Sequence, residues 1–444
     1  MNVQAAEQLA GGHRSHSVLY MWSVFALTFG LMLSDYLTRN VMSAVFPFLK
    51  AEWTLSDREL GTLVSVVALV VGLGSFPIAL LADRWGRVKS ITAMAAIWCL
   101  ATIGCGLASG YAQMIVARGF VGLGEAGYGS AGGAILSHVF PPQQRAVVIG
   151  AFLAAALFGS VLGVALGGVV AVHFGWRTAF VALGAASLLL VIVYPIVVRD
   201  YKTVSLVQRD SRSGAGERRM RLGEMIRELF APRTAMFTYV GSGLQMFING
   251  VLAAWMPSFF AREYALGPDA AAVQAAIVVL MAGVGMIVGG WAVDRASRRR
   301  ARNRLRVPAM YGLLTFALLT TAFALSPGDA QRVLILFGAL FMGGHAGAAG
   351  AAISEVVHPG LRASAFAVLT LSNNLLGLAP GPVLVGALSD AFGLRTALAL
   401  APTTCFVAAA CFLVAAHYYE RERNRFEEPT DELAEAPAAG FAGH

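Results

Sequence analysis

Leu81-Ala-Asp-Arg-Trp-Gly-Arg87 ends one long apolar run of this chain, and Gly290-Trp-Ala-Val-Asp-Arg295 ends another. The echo widens on either side. Pro47 lies 36 residues before Asp83, and Pro257 lies 37 before Asp294. Ser137-x4-Pro142-x2-Arg145 recurs as Ser354-x4-Pro359-x2-Arg362, and Phe-Gly-Trp-Arg-Thr-Ala-Phe at 174–180 recurs as Phe-Gly-Leu-Arg-Thr-Ala-Leu at 392–398. One unit has been used twice, in the same order. Parallel duplication of that kind implies two bundles related by an axis along a membrane normal.

Composition puts those runs in a bilayer. The chain is 57% hydrophobic and 13% charged, with a mean hydropathy of +0.67, outside the range of soluble globular domains. Crossing about 30 Å of hydrocarbon takes about 20 helical residues. Twelve spans meet that length: 18–49, 59–81, 90–109, 111–137, 146–172, 178–198, 235–260, 270–293, 307–325, 331–355, 363–390 and 396–417. The runs are continuous rather than alternating, which excludes a β-barrel. The expected fold is therefore all-α and integral to the membrane, twelve transmembrane helices in two pseudo-symmetric six-helix bundles. Residues 1–17 read as a cytoplasmic tail, 18–198 as the first bundle and 235–417 as the second. Between them, 199–234 is a polar linker holding an amphipathic stripe (Leu222, Met225, Ile226, Leu229, Phe230), expected to lie along the cytoplasmic surface. The acidic, Ala- and Pro-containing segment 418–444 is a tail whose composition favours disorder.

Charge sets the expected orientation. Of 33 Lys and Arg, Arg39 and Arg118 lie within spans, and Lys50, Arg58, Arg177, Arg262, Arg332 and Arg395 occupy the loops of one side. The other 25 fall in the two tails and the opposite loops, so both termini are placed in the cytoplasm; the membrane itself is expected to be a bacterial inner membrane. The net charge of +8 reflects this bias, above all the seven arginines of 295–306, and needs no nucleic-acid partner. Residues 1–17 lack a secretory signal pattern. Cys99, Cys105, Cys405 and Cys411 all fall inside spans and show no metal or disulfide spacing. Neither a phosphate loop nor a nucleophile–base grouping is present, so an enzyme, a cofactor and a nucleotide-driven pump are all disfavoured.

The chemistry concentrates in four intramembrane charges: Asp35, Arg39, Arg118 and Glu125. Each costs roughly 2.5–3.5 kcal/mol at mid-membrane, and is rarely kept there without a partner or a job. Asp35 and Arg39 are four apart and Arg118 and Glu125 seven apart, so on helices each pair shares a face. Superposing the halves matches Asp35 with Gln245, Arg39 with Asn249, Glu125 with Met342 and Tyr128 with His345. Titratable groups thus belong to the first half, and neutral hydrogen-bonding groups to the second. Glu125 is the expected proton carrier, with Arg39 or Arg118 as alternating partner and Asp35 as a second titrating group; the competing reading is a permanently paired structural quartet. Thr38, Tyr128, Gln245, Phe247, Asn249, Trp255, His345, Asn373 and Asn374 are the candidate substrate contacts, although such polar groups also serve as interhelical glue. Asp83, Arg84, Arg87, Arg145, Asp294, Arg295 and Arg362 are candidate gating residues, an Asp near a facing helix N-terminus being favoured by its dipole. The plainer alternative is a loop that only fixes orientation.

Asp83-Arg-Trp-Gly-Arg87, the duplicated halves and Arg118-x3-Gly122 resemble the major facilitator superfamily over nearly the whole chain. Gly122-Leu-Gly-Glu-Ala126, Phe140-Pro-Pro-Gln-Gln-Arg145, Gly175-Trp-Arg-Thr-Ala-Phe180 and Gly381-Pro-Val-Leu-Val-Gly-Ala-Leu-Ser-Asp390 resemble its spinster-like branch. That resemblance implies a proton-coupled secondary transporter moving lysolipid- or sphingolipid-type amphiphiles by alternating access; a monomer is the default expectation. The anion:cation symporter branch, which shares the Gly-Glu-Ala region, implies a small organic anion instead, and a passive facilitator is a third reading. Both branches carry Asn-Tyr-x-Asp-Arg where this chain has Asp35-Tyr-Leu-Thr-Arg39. The acid has moved to the Asn position and Thr38 stands in its place, so the proton site is either shifted or carried mainly by Glu125.

Overall fold

A computed structural model describes residues 17–199 and 222–423. The expected N-terminal tail up to residue 16, linker residues 200–221 and tail residues 424–444 lie outside the described residues. In the first half the helices are α1 (Val18–Ala44), α2 (Phe46–Trp53), α3 (Asp57–Trp85), α4 (Arg87–Leu107), α5 (Tyr111–Glu125), α6 (Tyr128–Val139), α7 (Pro142–Phe174) and α8 (Trp176–Val197). The linker's described part forms α9 (Leu222–Phe230). The second half has α10 (Arg233–Glu263), α11 (Pro268–Ser297), α12 (Asn303–Ala324), α13 (Asp329–Gly343), α14 (Ala346–Val356) and α15 (Arg362–Ser372). A π-helical turn at Asn373–Leu378, α16 (Pro380–Phe392), α17 (Leu394–Leu400) and α18 (Thr403–Arg423) complete it. Among the described residues there is no β-strand. Among the described residues, eleven helical stretches are long and apolar enough to cross a membrane. The remaining expected crossing, 111–137, is built from α5 and α6, which meet at Ala126 and Gly127.

Local chemistry sets the helix starts. The Ser17 hydroxyl accepts the Tyr20 N–H at 3.2 Å, and α3 opens on a capping box in which Ser56 and Glu59 satisfy each other's backbone N–H. The duplication read from sequence reappears as geometry. Gly175 (φ 86°, ψ 149°) and Gly393 (φ 84°, ψ 151°) turn the chain in the same left-handed conformation, open to glycine at no steric cost. Two residues later, Arg177 reaches the Ala108 carbonyl at the end of α4, and Arg395 reaches the Phe323, Ala324 and Leu325 carbonyls at the end of α12. Each arginine satisfies carbonyls that a helix end leaves without intrahelical partners.

Within the first bundle, Gly159, Gly163 and Gly167 let α7 lie directly on the α1 backbone at Leu33, Leu37 and Val41. The two bundles meet at the end that carries Asp57. There Phe46 stacks edge-on against Trp255 at 5.3 Å between ring centroids, and Ala272 of α11 packs on Gly168 of α7. On the second bundle α9 is bedded by Leu229, which is buried in one cluster with Tyr239 and Leu305.

Candidate functional site

Between the bundles lies a cavity of about 420 Å³. From the first half α1 contributes Tyr36, Arg39, Asn40 and Ser43, a stripe at i, i+3, i+4 and i+7, and α7 adds Leu153, Leu157 and Ser160. The second half contributes Met246 and Asn249 from α10, Val278, Ala282 and Met286 from α11, His345 between α13 and α14, and Thr370, Asn373 and Asn374. The lining is a polar strip set in an apolar wall. Arg39 and its symmetry mate Asn249 both line it, and so does Met342, the mate of Glu125.

Arg39 places Nη1 3.3 Å from Oε2 of Glu125, which is 3% exposed at the side chain against 22% for the arginine. The guanidinium therefore bridges from open cavity to buried carboxylate. Asp35 is buried one turn before Arg39, within electrostatic reach of both, and its Oδ1 has no hydrogen-bond partner among the described residues. Arg118 stands apart. It is 1% exposed, donates from Nε to the Leu63 carbonyl of α3 at 3.0 Å, and leaves Nη2 unpartnered. Seven helical residues put it about 10 Å along the axis from Glu125. Of the two arginines weighed as Glu125's partner, the structure brings Arg39 to it.

The substrate-contact candidates divide. Asn249, His345, Asn373 and Asn374 line the cavity. His345 is held through Nδ1 on the Met342 carbonyl at 3.0 Å, leaving Nε2 unpartnered, and Asn374 leaves Oδ1 unpartnered. Asn373 accepts the Ser242 hydroxyl at 2.8 Å. The other five do not line it. The Thr38 hydroxyl donates within its own helix to the Ser34 and Asp35 carbonyls, and Tyr128 donates to the Thr28 carbonyl at 2.6 Å inside the first bundle. Trp255 donates to the Pro382 carbonyl at 3.1 Å, Phe247 is core, and Gln245 is buried with both amide atoms unpartnered.

Among the gating candidates, Arg145 donates to the Phe140 carbonyl at 3.0 Å and Arg362 to the Ser354 carbonyl at 2.9 Å, each clasping the end of the helix before it. Arg87 opens α4, and Asp294 and Arg295 are exposed at the end of α11. The side chains of Asp83 and Arg84 lie outside the described set.

A second polar cluster, at the end where the bundles meet, was not singled out from the sequence. The buried carboxylate of Asp57, first residue of α3, takes Lys50 Nζ at 2.5 Å, Arg262 Nη1 and Nη2 at 2.6 and 2.7 Å, and the Ser389 hydroxyl at 2.5 Å. Asp390, on the other bundle, accepts the backbone N–H of Asp57 at 2.8 Å and of Arg58 at 2.9 Å, capping α3 across the interface. In the sequence Lys50 and Arg262 counted only as loop charges. The signal that could have found them is Ser389-Asp390, closing a quoted motif at the end of an antiparallel neighbour of α3. On the same face Glu52 is held below the usual carboxylate range by hydrogen bonds from Arg177 and then Trp176.

Residues 27–380 match the sequence profile described as the Major Facilitator Superfamily. The hexuronate transporter of Bacillus subtilis (strain 168) is 24% identical over 271 residues, 61% of this chain and 63% of that protein. The chain spans 60–65% of the length of several such curated relatives. A probable 4-methylmuconolactone transporter of Cupriavidus pinatubonensis is 29% identical over 387 residues, 84% of each chain. Among solved structures, a bacterial homologue of the human lysosomal transporter Spinster, inward-facing and unoccupied, superposes with a TM-score of 0.81 at 22% identity, covering 92% of this chain and 99% of that one.

Proposed function

This chain belongs to the Major Facilitator Superfamily, and we propose that it is a proton-coupled secondary transporter that moves an amphiphilic, lysolipid- or sphingolipid-like substrate by alternating access. The observation that carries the coupling is Arg39 at the cavity wall, 3.3 Å from the buried Glu125 with Asp35 beside it. Two carboxyl groups share one nearby guanidinium in a water-poor site, where two like charges are not both tolerated. A proton held by the pair balances the count. A substrate group that takes Arg39 away from Glu125 shifts that balance, and the carboxyl pair then takes up or releases the proton. Arg118, fixed on Leu63, supplies a standing positive charge rather than the moving contact.

By the charge bias of the loops, the Asp57 end is the outer one. With that end clasped, the conformer is inward-facing and the cavity is served from the cytoplasm. An apolar wall from α7 and α11 beside the polar strip Arg39, Asn249, His345 and Asn374 fits a compact polar head on an apolar body. A second reading has its own support: the relatives named for hexuronate and 4-methylmuconolactone, together with Arg39 at the wall, favour a small organic anion. A thermal-shift screen of lysolipids against carboxylates separates the two.

Glu125→Gln in proteoliposomes tests the coupling. Uptake driven by a proton gradient is expected to fall at least tenfold while substrate counterflow persists. Wild-type gradient dependence in that variant ends the proposal.

A further inference from the structure

The end of α11 and the loop after it form a surface away from the cavity between the bundles. Ile287, Val288 and Trp291 of α11 are 64, 52 and 66% exposed, an apolar stripe on the outside of the bundle. One turn beyond Trp291 the exposed residues become arginines: Arg295, Arg298, Arg299 and Arg300. Two of the neighbouring arginines are already matched by acids. Arg302 makes a forked contact to Glu420 at 3.0 and 2.9 Å, and Arg304 pairs with Glu355. Those four have no salt-bridge partner among the described residues. Ala301 and Leu305, in and just after the loop, pack in the cluster that buries Leu229 of α9, so the loop has a fixed bed. On α9, Ile226 and Phe230 remain 51 and 46% exposed.

We propose that this surface docks the phosphate headgroups of anionic phospholipids at the rim of the second bundle. The exposure pattern places the arginines where hydrocarbon ends, which is where an interfacial Trp sits. Guanidinium forks match phosphate oxygens bidentately, and basic clusters just outside a membrane span attract anionic leaflets. Headgroups are the most concentrated anions at that depth, which favours them over soluble phosphate. The surface is separate from the coupling site, so either assignment can fail without the other.

The test uses the full-length protein in vesicles containing brominated phosphatidylglycerol or brominated phosphatidylcholine, reading the Trp291 fluorescence obtained by subtracting Trp291→Phe. Phosphatidylglycerol is expected to quench preferentially, by about fivefold for each arginine engaged. Added salt should weaken the preference through screening. The triple variant R298Q/R299Q/R300Q, all in an exposed loop, should quench equally with both lipids at an unchanged melting temperature. Equal quenching in the wild type overturns the proposal. So does loss of the preference to inorganic phosphate at matched ionic strength, which would mark a general anion site. A preference that emerges only when residues 424–444 are removed also overturns it, since the acids Glu427, Glu428, Asp431, Glu432 and Glu435 would then be the occupant.

Discussion

Arg39 and Arg118 looked equivalent as letters, two arginines seven or fewer positions from an acid within apolar runs. Position in three dimensions separates them. Arg39 keeps one edge in the cavity and the other on Glu125, whereas Arg118 is enclosed and spends its Nε on a backbone carbonyl of the neighbouring helix. The Leu63 carbonyl lies inside α3 and keeps its intrahelical donor, so removing Arg118 costs the extra charge-assisted hydrogen bond, about 1.5–3 kcal/mol. We expect Arg118→Gln to lower the melting temperature in detergent while proton-dependent uptake by the surviving protein remains, and Arg39→Gln to remove the proton dependence with less effect on melting. The reverse pattern would exchange their roles. Sequence alone located Arg39, Glu125 and Asp35 because charge is conspicuous among apolar residues. It could not tell Thr38 or Tyr128 from a cavity residue: a hydroxyl reads alike whether it faces solvent or closes on the Ser34 or Thr28 carbonyl.

At the level of the helix, hydropathy found where the chain crosses but not where the crossings break. Windows of apolar residues pass straight over Ala126–Gly127, over Gly344–His345 and over the π turn at Asn373–Leu378, since a change in hydrogen-bond register alters no side chain. Those breaks matter because they bring His345, Asn373 and Asn374 to the cavity. The start of α3 was hidden for a different reason. Its second cap belongs to Asp390, far away in sequence on the opposite bundle. A cap of this kind is worth roughly 1 kcal/mol, about a fivefold change in a conformational ratio, and it exists only while the bundles touch. Asp57 is tied more heavily, by two cations and a hydroxyl. We expect Asp390→Asn to raise the labelling of an engineered cavity cysteine, Ser43→Cys, by an impermeant thiol reagent added from the Asp57 side severalfold, and Asp57→Asn to raise it further. Unchanged labelling in both would show that these contacts do not hold that end shut.

At the scale of the whole molecule, the two halves meet by backbone contact at the closed end. Along the pair formed by α3 and α16, a side chain at Gly61 would strike the Pro382 carbonyl and the Val383 backbone, and one at Gly386 would strike the Asp57 carbonyl and the Arg58 backbone. The closed end is therefore closed at glycine distance, with no room for even a methyl group. In the proposed cycle the same surfaces separate as the halves rock apart, so a larger residue there opposes one conformer and is indifferent to the other. We expect Gly386→Leu to leave the protein folded and monodisperse, to open the Asp57 end to thiol reagents, and to abolish counterflow, because an exchanger must close both ends in turn. Substrate that still shifts the melting temperature of this variant would show a site intact in the opened form. Normal counterflow with Gly386→Leu would mean that α3 and α16 need not meet this closely during the cycle, and the closure would then have to be carried by α7 against α11, where Gly168 and Ala272 touch.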